Sequence, residues 1–156
     1  MTCNSKVLLQ RAGMIAAIAM LPATAIAEGC GAEMLVGKYV YNATGFTRPP
    51  SSGPGAPWVP KAILQIVSFN GDGTVTAPMV TLANPFGDTG NVLQLPAGGA
   101  PGAYVVNEDC TGKIHFFDAV GVMYTIYVEP PRGDTIWMIQ TSPPNNVSQG
   151  AARRLP

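Results

Sequence analysis

The chain has 156 residues with nine basic and nine acidic side chains, so its formal net charge at pH 7 is zero. This length supports one domain, and the balanced charge offers no electrostatic footprint for nucleic acid or for an anionic membrane surface. Only 12% of the residues are charged and 47% are hydrophobic, which excludes disorder driven by charge. The 18 glycines and 15 prolines disfavour long helices and favour short strands joined by turns.

The first 27 residues have the order of a secretory signal peptide. Lys6 and Arg11 precede an uninterrupted apolar run at 14–21, Pro22 ends the run, and Ala-Ile-Ala at 25–27 precedes the cleavage point. The run is shorter than the ~18–20 apolar residues that span a bilayer, which disfavours a membrane anchor. We therefore predict a signal peptide over 1–27, a single domain over 28–156, and a secreted or periplasmic protein without a membrane anchor after cleavage.

Two cysteines follow the signal segment, Cys30 and Cys110. An even pair in an exported protein predicts one disulfide, which would close a loop of about 80 residues. Two buried free thiols are the alternative. A structural zinc site is disfavoured because His115 is the only histidine and no Cys-x-x-Cys spacing exists. We expect neither a metal nor a cofactor.

Runs rich in β-branched and aromatic residues alternate with turn sequences along the rest of the chain. In chain order, the predicted strands span 36–43, 62–69, 74–82, 102–108, 113–118, 123–128 and 135–141, and the run 148–153 closes the chain. The run 91–95 is a candidate for an eighth strand. Asn-Gly-Asp-Gly at 70–73 and Asp-Cys-Thr-Gly at 109–112 predict tight hairpins, because Asn, Asp and Gly tolerate positive φ.

After residue 27 no segment shows the apolar stripe of a helix. Strands joined by tight turns form a meander, and about eight such strands close most simply into an antiparallel up-and-down barrel. The expected fold is therefore an all-β, eight-stranded barrel, with a two-sheet β-sandwich as the alternative. Two long connections rich in proline, glycine and small residues, 48–60 and 83–101, are either surface loops or flaps over one barrel mouth.

Several strands are apolar on both of their alternating faces. In 135–141, Trp137 and Ile139 alternate with Ile136 and Met138. A strand with one face in water should alternate apolar and polar residues more cleanly. We therefore expect the outer wall to be partly covered, and self-association into a homo-oligomer is a hypothesis.

Turn and disulfide motifs carry a resemblance to a known group of proteins. The motifs are Cys30…Leu35-x-Gly37-x-Tyr39-x-Tyr41, Phe69-Asn70-Gly71-Asp72-Gly73-Thr74-Val75, Gly102-x-Tyr104-x-Val106-Asn107-x-Asp109-Cys110-Thr111-Gly112 and Ile136-x-x-Ile139-Gln140-Thr141. With them the chain resembles small exported bacterial proteins, mostly of unknown function, that are similar to allene-oxide-cyclase-like barrels. The resemblance implies an eight-stranded barrel but carries over neither an activity nor a catalytic residue, because its motifs are turn and disulfide elements. Cyclases of that barrel superfamily act mainly by enclosing and shaping a hydrophobic substrate.

Aromatic side chains give the clearest functional indication. We expect an aromatic-walled interior that suits a small apolar ligand. The residues predicted to bind it are Tyr39, Tyr41, Trp58, Phe69, Tyr104, Tyr124 and Trp137. A filled core is the alternative, because eight strands leave an interior just wide enough for side chains or one small ligand.

Candidates for catalysis are few. His115, Tyr104 and Tyr124 are the side chains that could exchange a proton with a substrate, although a histidine in a strand is more often a surface residue. No nucleophile elbow, zinc-binding helix motif or phosphate-binding loop is present. The sequence therefore predicts an exported barrel that binds a small hydrophobic molecule. A cofactor-free cyclase or isomerase with the same cavity, and a structural or surface domain with a filled core, are the alternatives.

Overall fold

The computed structural model describes residues 29–48, 55–83, 99–118 and 121–156, and within them eight strands form one closed sheet. A 3-10 turn (Ala32–Met34) comes first. The strands are β1 (Val36–Thr47), β2 (Val59–Asn70), β3 (Thr74–Ala83), β4 (Ala100–Val106), β5 (Thr111–Phe116), β6 (Met123–Val128), β7 (Thr135–Ser142) and β8 (Asn146–Arg154). Each strand pairs antiparallel with its sequence neighbours, and β1 also pairs with β8. The predicted up-and-down barrel is confirmed, and the sandwich is excluded.

Several strand bounds differ from the predicted ones: β1 ends four residues later, and β4 and β5 each begin and end two residues earlier. The eighth strand is β8, whereas the candidate at 91–95 and the signal segment 1–27 lie outside the described residues. β2 begins at Val59, which is three residues before the predicted start, and it includes Pro60. β3 pairs with β2 only from Ala62 onward, so on this side the missing N–H of Pro60 removes no ladder hydrogen bond. Within the described ranges, no helix is long and apolar enough to cross a membrane.

Strand alternation decides which side chains face the interior. In β2, the side chains of Lys61, Ile63, Gln65, Val67 and Phe69 are buried, and the residues between them are exposed or half-buried. Successive side chains of a strand point to opposite faces, so these five share the inner face. The same alternation along the other strands places an aromatic and aliphatic core inside the barrel.

The N-terminal segment closes one end of the barrel, which we call the closed end. Leu35 is fully buried there. The Tyr104 hydroxyl shares its one proton between two carbonyl oxygens, that of Ala32 at 2.8 Å and that of Leu35 at 3.1 Å. The predicted disulfide is present, and Cys30–Cys110 joins this segment to the β4–β5 hairpin. The opposite end, where β1, β3, β5 and β7 terminate, is the open end.

Arg154 at the end of β8 fastens the same closed end. Its Nη2 donates to the carbonyl oxygens of Met34 and Arg132, each at 2.8 Å, and its Nε lies 3.2 Å from Asp134 Oδ1. The last strand, the N-terminal segment and the β6–β7 turn are thereby held together, so three distant parts of the chain meet at one end of the barrel.

Two hairpins at the closed end share one turn chemistry. Asp72 Oδ1 accepts hydrogen bonds from the N–H (2.9 Å) and hydroxyl (2.6 Å) of Thr74, and Asp109 Oδ1 does the same with Thr111 at 3.0 and 2.6 Å. These hydrogen bonds hold the pKa of both aspartates below its usual value, because they favour the charged carboxylate. The predicted tight hairpins are confirmed, and both aspartates act as turn residues.

Candidate ligand-binding site

The half of the interior toward the closed end is packed with aromatic rings. The ring centroids of Tyr39 and Phe69 are 5.2 Å apart, and those of Phe69 and Tyr104 are 5.0 Å apart, both in edge-to-face geometry. All three side chains are buried. Edge-to-face pairs at this spacing are a favourable packing of aromatic rings, so this half behaves as an ordinary core.

The half toward the open end contains a cavity of about 190 Å³. Its apolar wall is formed by Ile63, Ala77, Val80, Leu82, Ala100, Phe116 and Val122. Ala77 and Ala100 are cross-strand partners on β3 and β4, so two methyl groups stand where larger side chains would fill the interior. The cavity therefore results from small residues at paired inward positions.

The β3–β4 ladder is short beside this cavity. β4 pairs with β3 only over residues 100–103 against 74–77, whereas β2 pairs with β3 as far as Ala83. Past Ala77, the part of the chain that the structure describes offers β3 no β4 partner, and Val80 and Leu82 are half-buried there. The 48–60 and 83–101 connections both leave from this end, and their residues 49–54 and 84–98 lie outside the described ranges. Their predicted role as flaps stays a prediction.

A polar cluster stands at the mouth of the cavity. Lys61 Nζ donates hydrogen bonds to Gln140 Oε1 at 2.9 Å and to Asn146 Oδ1 at 3.3 Å. The Ser148 hydroxyl donates to the same Gln140 Oε1 at 3.0 Å, and Gln140 Nε2 donates to the Ser142 carbonyl oxygen at 3.1 Å. We call Lys61, Gln140, Asn146 and Ser148 the Lys61 cluster. Its four side chains come from β2, β7 and β8, and only the closed barrel brings them together.

A glycine lies opposite Lys61 in the β1–β2 ladder. Gly45 is the cross-strand partner of Lys61, and it also pairs with Ser148 on β8. A Cβ at Gly45 would collide with the Val147 carbonyl oxygen. Only glycine therefore fits at this position, and the Lys61 stem lies beside a strand position without a side chain.

Burial controls the charge state of the cluster. Burial lowers the pKa of Lys61 to about 8, and no carboxylate among the described residues offsets this effect. Burial also raises the pKa of Tyr124, with smaller contributions from Tyr41 and Asp118. The Tyr41 hydroxyl is buried with no hydrogen-bond partner in the described ranges, and burial raises its pKa despite the partial opposite effect of Ser148. At neutral pH both tyrosines are neutral, and Lys61 is the one buried charged side chain among the described residues.

The structure separates the aromatic residues predicted to bind the ligand. Tyr124 lines the cavity, and its ring centroid lies 5.6 Å from that of Tyr41. Four others are buried in the packed interior, namely Tyr39, Tyr41, Phe69 and Tyr104. The two tryptophans, Trp58 and Trp137, are 38% and 52% exposed and do not line the cavity.

The three catalytic candidates do not meet. His115 is exposed on the outer wall, where its ring packs edge-on against Phe117 at a centroid distance of 5.1 Å. The Tyr104 hydroxyl is engaged by backbone carbonyl groups at the closed end. Tyr124 alone lines the cavity, so these residues form no joint acid–base site in the structure.

The outer wall carries exposed apolar side chains, as the strand composition indicated. Tyr127 and Trp137 are cross-strand partners, and they are 44% and 52% exposed, while Ile139 on the same strand is 56% exposed. Self-association through this face stays a prediction.

Sequence reasoning missed Lys61. The strand was expected to begin at residue 62, because Pro60 is a poor residue for a strand interior. Extending the two-residue alternation of Ile63, Gln65 and Val67 back by one step assigns Lys61 to the inner face. That alternation is the signal that identifies it.

Lys61 makes the stability of the barrel depend on pH. Its pKa is about 8 in the folded protein and about 10.4 in the unfolded chain, so between these values the unfolded state binds more protons. We expect the free energy of unfolding of the natural protein, relative to Lys61→Met, to rise by up to about 2 kcal/mol from pH 8 to pH 10. Urea unfolding at several pH values measures this difference.

The matched control for this experiment is Lys113→Met, which removes an exposed lysine from β5. Its stability relative to the natural protein should show no comparable change over the same pH range. The buried tyrosines have raised pKa values and lower the stability above about pH 10, but they are common to all three proteins and cancel. A flat difference between the natural protein and Lys61→Met would show that Lys61 is not desolvated.

The comparisons with known proteins found no similar protein. No family model matches the chain, and neither a curated protein nor a solved structure is significantly similar to it. In the described ranges, no group of three or more His, Cys, Asp or Glu side chains is placed to hold a metal ion.

Proposed function

We propose that the protein is an exported barrel that binds a small apolar molecule in the open-end cavity. The observation that carries the proposal is the cavity of about 190 Å³ with apolar walls, in a barrel whose other half is packed with side chains. An apolar cavity of about 150 Å³ is large enough to hold benzene. The volume therefore suits a compact ligand rather than a long chain.

Two further observations support binding over the alternatives. The Tyr41 hydroxyl is buried in the interior with no hydrogen-bond partner of good geometry among the described residues, which is unusual for a core that only supports the fold. Beyond Ala77, no described residue pairs with β3 on the β4 side, which supports a route to the cavity at this place. The cyclase or isomerase alternative would use the same cavity.

Export is part of the same proposal. The Cys30–Cys110 disulfide is compatible with an oxidising compartment outside the cytoplasm. The order of charged, apolar and small residues in 1–27 supports secretion or delivery to the periplasm.

Filling the cavity tests the proposal. Toluene should bind the natural protein and raise its melting temperature, because a ligand that binds only the folded state stabilises it. Ala100→Phe places a ring in the cavity, since Ala100 is buried and lines it. We expect this variant to weaken toluene binding about tenfold or more, because the same space cannot hold two rings. Saturation-transfer NMR and thermal shift measure the binding.

Ala103→Phe is the matched control, because Ala103 lies on the same strand with its side chain exposed. It should bind toluene as the natural protein does. If Ala100→Phe does not fold, Ala77→Leu fills the cavity from the neighbouring strand. Equal binding by the filled and control variants would place the site elsewhere, and no binding by the natural protein would favour a filled, structural barrel.

A further inference from the structure

We infer that the ligand of the open-end cavity carries a carboxylate and that Lys61 Nζ binds it. This inference rests on the proposed function and names the chemical class of the ligand as a small apolar monocarboxylic acid. Lys61 is the one charged side chain that is buried among the described residues, and it lines the cavity beside an apolar wall. A compact acid has the complementary pair of features, a negative group and an apolar body.

Among the described residues, no carboxylate forms an ion pair with the charged Lys61 side chain. Its two hydrogen bonds go to the neutral amide oxygens of Gln140 and Asn146. An ammonium has three N–H donors, so one of them has no acceptor in the described part of the chain. A buried cation is costly unless it is paired, and a carboxylate at this position would supply both the negative charge and the missing acceptor.

The Lys61 cluster holds the ammonium in place. Gln140 Oε1 accepts hydrogen bonds from Lys61 and from the Ser148 hydroxyl, and Gln140 Nε2 is occupied by the Ser142 carbonyl oxygen. The amide of Gln140 is therefore fixed with its oxygen toward Lys61. A donor that is already oriented binds its ligand with a smaller loss of side-chain entropy.

The other ionisable groups around the cavity leave Lys61 as its positive centre. Asp118 Oδ1 accepts hydrogen bonds from the N–H groups of Gly121 at 2.7 Å and Val122 at 3.4 Å, so the backbone engages this carboxylate. Tyr124 lines the cavity, the Tyr41 ring packs against the Tyr124 ring, and both hydroxyls are neutral because burial raises their pKa. Among these residues, the Lys61 ammonium is therefore the one positive group that an anionic headgroup in the cavity could bind.

The volume of the cavity limits the size of the apolar part of the acid. A volume of about 190 Å³ accepts a benzene-sized ring with a small margin. Benzoate therefore fits as a probe, and benzamide has nearly the same shape without the charge. The comparison of these two molecules isolates the headgroup from the apolar body.

Isothermal titration of the natural protein at pH 7 with benzoate and benzamide tests the inference. We expect benzoate to bind about tenfold or more tightly, because a charge-assisted hydrogen bond replaces a neutral one. The affinity for benzoate should fall as the pH rises above about 8, where Lys61 loses its proton, whereas the affinity for benzamide should not change. Binding of benzoate at pH 8.5 should also take up protons, which the dependence of the enthalpy on buffer measures.

Two variants separate the role of Lys61 from general effects. Lys61→Met keeps an apolar stem of similar length, and it should lower benzoate affinity to that of benzamide without weakening benzamide binding. Lys113→Met removes an exposed lysine and should leave both affinities unchanged. Melting curves establish that each variant is folded, and Lys61→Gln replaces Lys61→Met if the latter does not fold.

The outcomes distinguish this inference from the proposed function. Equal affinity for benzoate and benzamide, or benzoate affinity that survives Lys61→Met, would overturn the carboxylate assignment and leave the apolar cavity as a binding site. Failure of toluene, benzoate and benzamide alike would count against the proposed function itself. A borohydride-trapped adduct of Lys61 with benzaldehyde, together with weak benzoate binding, would overturn the assignment in favour of an aldehyde ligand.

Discussion

Replacing both cysteines of the disulfide, as Cys30→Ser with Cys110→Ser, is expected to lower the free energy of unfolding by about 4 kcal/mol. The two cysteines are 80 residues apart, so the disulfide removes much of the conformational freedom of the unfolded chain. The disulfide also ties the N-terminal segment to the β4–β5 hairpin, where the Cys30 N–H donates to the Glu108 carbonyl oxygen at 3.2 Å. Urea unfolding of the double variant and of the natural protein measures the loss.

Reduction of the natural protein supplies an independent check. Under a thiol reductant it should unfold at about the same urea concentration as the double variant, because both lack the same cross-link. A loss below about 1 kcal/mol in both experiments would contradict the expectation. The closed end would then be held by Leu35, Tyr104 and Arg154 without help from the cross-link.

Leu35→Ala is expected to lower the free energy of unfolding by about 3 kcal/mol, within the usual range of about 2–5 kcal/mol for a buried leucine. Leu35 has no exposed surface and belongs to the core cluster, although it lies before the first strand. Its removal would leave a cavity at the closed end, where the N-terminal segment covers the aromatic rings. Urea or thermal unfolding gives the difference in stability.

The neighbouring residue provides the control for this variant. Val36 is 49% exposed, so Val36→Ala should change the stability by no more than about 0.5 kcal/mol. Leu35→Ala should also retain the toluene affinity of the natural protein, since its site is at the opposite end of the barrel. An equal effect of the two variants would show that the N-terminal segment does not close the barrel.

These expectations follow from a difference between the two ends of the barrel in how they contribute to stability. The closed end combines the disulfide, the buried Leu35 and the hydrogen bonds of Tyr104 and Arg154, so it supplies stability. The open end contains a cavity and a buried lysine, which both cost stability. Features that cost stability concentrate at functional sites, and the open end is therefore where we place binding.

Local sequence signals predicted most of the strands. β6 has the predicted bounds, and β3 and β7 each extend one residue beyond theirs. Alternation of side chains and turn residues such as Asp72 and Asp109 act within a few residues, so they can be recognised without the fold. The disulfide was predictable for a similar reason, because only two cysteines follow the signal segment.

The candidate site was less accessible to this reasoning. Aromatic content indicated an apolar interior, yet of the seven aromatic residues expected at the site Tyr124 is the one that lines the cavity. A tyrosine or tryptophan has a similar sequence context whether it fills a core, lines a cavity or lies on the outer wall. Lys61 was hidden for another reason, since Pro60 beside it obscured the start of β2.

The sequence by itself determined the strands, their turns, the pair of cysteines and the all-β class, because these depend on neighbouring residues. Only the tertiary structure decided where the sheet closes and what the interior contains. The pairing of β1 with β8 joins residues from opposite ends of the domain, such as Gly45 and Ser148, and places Ser148 and Gln140 beside Lys61. Closure of the sheet brings the inward-facing side chains of distant strands into contact. As a result Lys61, which its sequence context would assign to the surface, is a buried charge at the mouth of a cavity.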